Sequence, residues 1–123
     1  MASNKILRFG PVALGASAAN IINPPTLAGG TGLAGTNANT YVVLRHIRIV
    51  NKTASAATYS LYIGATAGSA AGTEFMGTAQ SVAANSYVDW YGMVRLDVAD
   101  FLTGLASASA TLTIEGEGEI GVV

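Results

Sequence analysis

The sequence predicts an all-β protein, an antiparallel β-sandwich of jelly-roll type with an extended N-terminal arm. Three observations point there. From Ala110 onward the side chains alternate with period two: Leu112, Ile114, Ile120 and Val122 share one parity, and Thr111, Thr113, Glu115, Glu117 and Glu119 the other. That is the pattern of a half-buried strand with one wet face. Apolar runs recur at intervals of roughly 8–12 residues between Gly, Ser and Asn turn signals, as in a sandwich or barrel. No segment carries a helical apolar period, and the long crossovers that parallel pairing needs are missing. Seven or eight such strands suit a jelly roll.

Taken in order, residues 6–9 and 19–22 read as short strands. Residues 23–40 hold Pro, Gly, Thr, Asn and Ala around two large apolar groups, Leu27 and Leu33. A structureless loop of that length is usually functional, and a neighbouring subunit is expected to order it together with the arm. Residues 41–52 form the central strand. Val43, Ile47 and Ile49 are placed on one face, and His46, Arg48 and Lys52 on the other with Val42, Leu44 and Val50. Residues 51–55 (Asn-Lys-Thr-Ala-Ser) signal a turn, and 58–63 follow as a strand with Tyr59, Leu61 and Ile63 on one side. Those two strands are expected to pair as a hairpin. Residues 64–72 lack any large side chain and read as a loop, with short strands at 74–76 and 80–82. Ala84-Asn85 turns the chain into 86–96, where Val88, Trp90, Val94 and Leu96 oppose Tyr87, Asp89, Tyr91 and Arg95. Residues 100–105 make another short strand, and Gly116 and Gly118 in the last one predict a bulge or a close backbone approach. The chain is one domain, divided into an arm and loop region at 1–40 and the sandwich at 41–123.

Composition narrows the function. Only 11% of the 123 residues are charged, well below the quarter usual in soluble domains, while 22 alanines and 15 glycines give a small-residue surface. Such a surface protects a free monomer poorly against association, so other protein subunits are expected to cover much of it. A net charge of −1 argues against phosphate-neutralising nucleic-acid binding. The uncharged stretch between Arg8 and Arg45 is broken by Pro11, Pro24 and Pro25 and cannot be a spanning helix. Lys5, Arg8 and Ala16-Ser17-Ala18 outline a secretory leader, but Gly10, Pro11 and Gly15 spoil its apolar segment, and no leader is expected. With no cysteine, disulfides and thiolate metal sites are excluded.

The charges are ordered along the chain. Lys5, Arg8, Arg45, Arg48 and Lys52 precede every acid; after them come seven acids and the single base Arg95. Either basic and acidic strands are neighbours that neutralise each other, or the subunit is charge-polarised and docks in a fixed orientation. Glu115, Glu117 and Glu119 project from one strand face, where they make a ladder facing Arg48 and Lys52 or a patch for a partner. Their spacing along an extended strand holds them too far apart to converge on calcium. His46, the one histidine, reads as an exposed or hydrogen-bonded strand residue, and one histidine without cysteine gives no transition-metal site. Asp97 and Asp100 fit turn chemistry. Tyr59, Tyr62, Tyr87 and Tyr91 could line a sugar-stacking platform, whereas Trp90 shares the parity of core positions. The glycine-rich stretches lack nucleotide-binding contexts. No catalytic constellation, cofactor site or metal site is read.

Residues 44–53 (Leu-Arg-His-Ile-Arg-Ile-Val-Asn-Lys-Thr) and 59–64 (Tyr-Ser-Leu-Tyr-Ile-Gly) carry a family resemblance. So do 82–86, Trp90-Tyr91-Gly92, Asp100-Phe101-Leu102 and 116–120 (Gly-Glu-Gly-Glu-Ile). Together these resemble small β-sandwich virion proteins of tailed bacteriophages, of the capsid decoration (cement) type. The resemblance leaves out the 23–40 insert. It implies a non-enzymatic protein on the outer surface of the capsid, bound to the major capsid protein and to copies of itself as a homotrimer, with no small-molecule substrate. The contact residues expected are Lys5, Arg8 and Phe9 of the arm, Leu27 and Leu33 of the loop, and Arg48, Lys52, Glu115, Glu117 and Glu119 on the strands. Two other readings stand beside it: a tail, neck or fibre module that binds a host receptor or glycan, and a self-assembling structural protein of cellular origin.

Overall fold

The computed structural model describes residues 5–22, 40–64, 74–97 and 100–122. They form eight strands: β1 (Lys5–Ala13), β2 (Ala19–Ile22), β3 (Thr40–Asn51), β4 (Ala57–Gly64), β5 (Glu74–Val82), β6 (Ser86–Leu96), β7 (Phe101–Ala106) and β8 (Leu112–Val122). Two four-stranded sheets, β1-β8-β3-β6 and β2-β7-β4-β5, carry antiparallel pairs throughout and pack face to face as a β-sandwich. Only β4 and β5 are both consecutive and paired; every other connection passes from one sheet to the other.

The core follows the alternation. Leu112, Ile114 and Ile120 of β8, Leu7 and Phe9 of β1, and Leu96 of β6 face Ile22, Leu61, Leu102 and Val82 of the opposite sheet, all within a few per cent of full burial. Burying such side chains contributes roughly 1.5–3 kcal/mol each. Trp90, Val88 and Val94 pack against this cluster, as their parity predicts. Tyr59 and Tyr62 are buried as well.

The hairpin expected between 41–52 and 58–63 does not form, because β3 and β4 belong to different sheets. The turn at 51–55 is there, and Asn51 explains the crossing. Its fully buried amide donates to the Ser55 carbonyl (2.9 Å) and to the Val82 carbonyl of β5 (3.1 Å), and accepts from the Thr53 N–H (2.9 Å) and hydroxyl (2.6 Å). The corner is thus pinned to the second sheet with every amide valence satisfied. Residues 74–76 and 80–82 are one strand rather than two.

The short strands expected at 6–9 and 19–22 are present, and the described residues include no free arm. Residues 5–13 are β1, an edge strand paired along β8 from Lys5↔Ile120 to Ala13↔Thr113, and 19–22 are β2 beside β7. Phe9, expected to contact a neighbour, is 6% exposed and packs in the core. Leu27 and Leu33 lie outside the described residues.

One irregularity shapes the β1-β8-β3-β6 sheet. Leu44 pairs with Gly118 of β8 and Val94 of β6, and the next rung pairs His46 with Glu117 and Tyr91. Between those rungs β8 advances one residue, β3 two and β6 three. The bulge reverses the parity of β3, so Val42 and Leu44 point inward before it and Ile47 and Ile49 after it. Val43, placed with the core by simple alternation, therefore faces out. Opposite the bulge sit the two glycines. A Cβ on Gly118 would strike the Val43 carbonyl, and one on Gly116 would strike the His46 carbonyl and meet the Phe9 ring at 2.6 Å.

Gly118→Val should therefore lower unfolding free energy by about 1–3 kcal/mol or more in urea titrations, the usual cost of overpacking. Gly15→Ala, whose added carbon meets nothing closer than 3.8 Å, should stay within about 0.5 kcal/mol of the parent. Equal midpoints for the two variants would contradict the packing described.

Candidate functional site

The outer face of the β1-β8-β3-β6 sheet carries the candidate site. Because the bulge adds a residue to β3, Arg45 and His46 both point to this face, next to the outward row of β8 and across from that of β6. Bulges commonly re-aim side chains in this way.

His46 is the centre. Its side chain is 16% exposed and lies between two carboxylates: Nδ1 is 2.6 Å from Glu117 Oε2, and Nε2 is 2.9 Å from Asp89 Oδ1. A carboxylate thus faces each ring nitrogen, an arrangement that favours the imidazolium. The Tyr91 ring stacks on it with centroids 4.6 Å apart. Arg48 forks onto Asp89, donating from Nε to Oδ1 (2.8 Å) and from Nη2 to Oδ2 (3.1 Å), the bidentate geometry that guanidinium favours. The same guanidinium lies 4.6 Å above the Tyr87 ring. Arg45 donates from Nε (3.1 Å) and Nη2 (2.8 Å) to Glu119.

The electrostatics follow from these contacts. The Glu117 hydrogen bond, helped by the one to Asp89, raises the His46 pKa above its ordinary 6.5 despite partial burial. Arg48 first, then His46, holds the Asp89 carboxyl down at about 2. Asp89 raises Arg48 in return, so Arg48 is a permanent cation. An imidazolium with both nitrogens engaged has no lone pair to act as a general base.

Several expected contact residues meet here. Glu115, Glu117 and Glu119 do face basic groups of β3, but not as a simple ladder to Arg48 and Lys52. Glu119 takes Arg45, Glu117 takes His46, and Arg48, although level with Glu115, turns to Asp89 on its other side. Lys52 lies just past β3, exposed. Arg8 is exposed on the same face, level with Glu117, and Lys5 heads β1 opposite Ile120. Basic β3 is thus the neighbour of acidic β8, the neutralising arrangement.

Other expectations change. The glutamates were expected to lie too far apart to share an ion, yet with His46 from the next strand, Glu115 and Glu117 each bring one ligand atom into a group lying within 4.8 Å of one another. Cross-strand register closes a gap that strand spacing alone leaves open. Of the four tyrosines suggested for a platform, Tyr59 and Tyr62 are buried, while Tyr87 and Tyr91 are 55% and 71% exposed. Asp97 and Asp100 bond each other's backbone in a turn, with Arg95 donating to Asp97 at 2.6 Å. Sequence reasoning missed Asp89 and Tyr91 as partners of His46. Their outward parity was visible, but the β3–β6 pairing was not.

No family model matches the chain, and no curated protein matches it either.

The cluster fixes a pH dependence. The folded pKa of His46 lies above its unfolded value near 6.5, so its contribution is complete below that value and lost as pH rises through the raised one. Asp89, lowered from 3.8 to about 2, contributes above 3.8 and loses that contribution as pH falls toward 2. Thermal melts at constant ionic strength should show Tm falling on the alkaline side of pH 6.5 in the parent and a weaker fall in His46→Gln. Parallel profiles for the two proteins would contradict the imidazolium bridge.

Proposed function

We propose that this chain is a capsid decoration protein of a tailed bacteriophage, acting by association on the outer surface of the head. The observation that carries the reading is the outer face just described. Ile6 (81% exposed), Tyr91 (71%), Met93 (67%) and Tyr87 (55%) stand on it along the two edge strands, β1 and β6, around a centre of paired charges. These four groups offer a partner apolar contacts along both edges of the face. The oriented charge pairs between these groups would fix the orientation of a docked partner.

Three further features support the reading. The strand order β1-β8-β3-β6 over β2-β7-β4-β5, with all but one connection crossing between sheets, is read as a jelly roll. The low charge content suits a protein covered by neighbours, and the resemblance of residues 44–64 and 82–120 to phage virion proteins agrees with both. The contacts would be with the major capsid protein and with sister copies in a trimer. A neighbour seated across junctions between capsid subunits adds interface area that resists the pressure of packaged DNA.

Exposed Tyr87 and Tyr91 beside Arg48 favour a second reading, a neck, tail or fibre module that stacks a host glycan. Quantitative mass spectrometry of purified virions separates the two. A decoration protein should approach stoichiometry with the major capsid protein, and a Tyr91→Asp/Met93→Asp variant should lose occupancy while staying folded. A count no larger than one ring at a single vertex would replace the first reading with the second, and absence from virions would overturn both.

A further inference from the structure

We infer that His46, Glu115 and Glu117 form a binding site for a divalent transition ion of the zinc type. The inference is independent of the virion reading, since it rests on one side-chain cluster alone.

The donor set comes first. One imidazole nitrogen and two carboxylates, each with a ligand atom within 4.8 Å of the others, converge from two adjacent strands. A tetrahedral ion with bonds of about 2.0–2.2 Å needs its ligand atoms about 3.3–3.6 Å apart, so side-chain rotations of about an ångström close the site. The backbone beneath is already fixed, because His46↔Glu117 and Arg48↔Glu115 are rungs of one ladder. Ligands on rigid strands lose little freedom when they bind.

Outside the donors lies the support such sites use. A metal-bound histidine usually donates its other ring N–H to a carboxylate, which fixes its tautomer and raises its basicity. Here Asp89 accepts from Nε2 at 2.9 Å and is itself clamped by Arg48. Nδ1 is left aimed at Glu117, and the stacked Tyr91 ring walls one side of the imidazole.

Charge favours a dication. Glu115, Glu117 and Asp89 set three carboxylates around His46, with Arg48 bonded to Asp89 and Arg8 exposed level with Glu117. Among the described residues the Glu115 carboxylate makes no ion pair or hydrogen bond. A divalent ion bound to Glu115 and Glu117 would neutralise both ligand carboxylates. The imidazole donor suits zinc over calcium, which prefers six to eight oxygens. Glu117 is 43% exposed on its solvent side, where water would complete the coordination.

Calorimetric titration of the chelator-treated full chain with zinc chloride tests the site, with circular dichroism confirming that each variant is folded. One ion per chain should bind. His46→Ala should abolish that binding, Glu115→Gln should weaken it at least about tenfold, and Asp89→Asn, which removes the charge and one of the Arg48 bonds, by about 10–100-fold. Calcium chloride at the same concentrations should give no saturable heat. Absence of saturable zinc binding, binding unchanged in folded His46→Ala or Glu115→Gln, or calcium binding as tight as zinc would each overturn the assignment.

Discussion

Where β3 crosses β8, the Val43 and His46 carbonyls lie over Gly118 and Gly116, and that close approach leaves no room for a side chain on either residue. The two missing Cβ atoms let β3 hold an extra residue without leaving the sheet. The outer face then acquires Arg45 and His46 side by side, while Val42, Leu44, Ile47 and Ile49 all still reach the core. Gly116 also gives the Phe9 ring its seat, which ties edge strand β1 to the same device. β6 accommodates the irregularity with Gly92 and Met93, and Met93 becomes one of the exposed apolar groups of that face.

The electrostatics follow from this geometry. The chain has few charges, yet Arg45, His46, Arg48, Asp89, Glu117 and Glu119 meet on one surface in four ion pairs, three of them linked through His46 and Asp89. Solvent-exposed pairs of this kind add little stability individually. Their role is to orient: Arg48 fixes Asp89, Asp89 fixes the imidazole, and the imidazole is aimed at the glutamates. A polar centre ordered in this way and bordered by Ile6, Tyr87, Tyr91 and Met93 presents one defined pattern to a partner or an ion. The same proximity raises the His46 pKa above its ordinary value.

How much of this was legible in the sequence depended on whether a feature was local. β8 alternates without interruption, so Leu112, Ile114 and Ile120 could be placed inside and Glu115, Glu117 and Glu119 outside. β6 keeps one parity from Val88 to Leu96 and was equally readable. β3 was not, because nothing in Leu44-Arg45-His46-Ile47 marks a bulge; its signal lay some 70 residues away, in Gly116 and Gly118. The hairpin expectation failed because Asn51-Lys52-Thr53 makes the same turn whether the flanking strands pair or change sheets. What decides is the buried Asn51 bond to Val82, a contact that sequence does not display. The glutamates could be placed beside basic β3, but Arg48 turns to Asp89, and Asp89 and Tyr91 meet His46 only through a pairing set by the whole topology.

Single-residue deletion in β3, followed by urea unfolding, tests the bulge most directly. Removing Arg45 leaves Val42, Leu44, Ile47 and Ile49 on one continuous alternation, so the account predicts a folded, cooperatively unfolding protein of reduced stability. Removing Val43 forces Val42 or Leu44 out of the core, and cooperative unfolding should be lost. If the Val43 deletion folds as well as the Arg45 deletion, or better, the bulge does not organise this sheet and the description of its outer face is wrong.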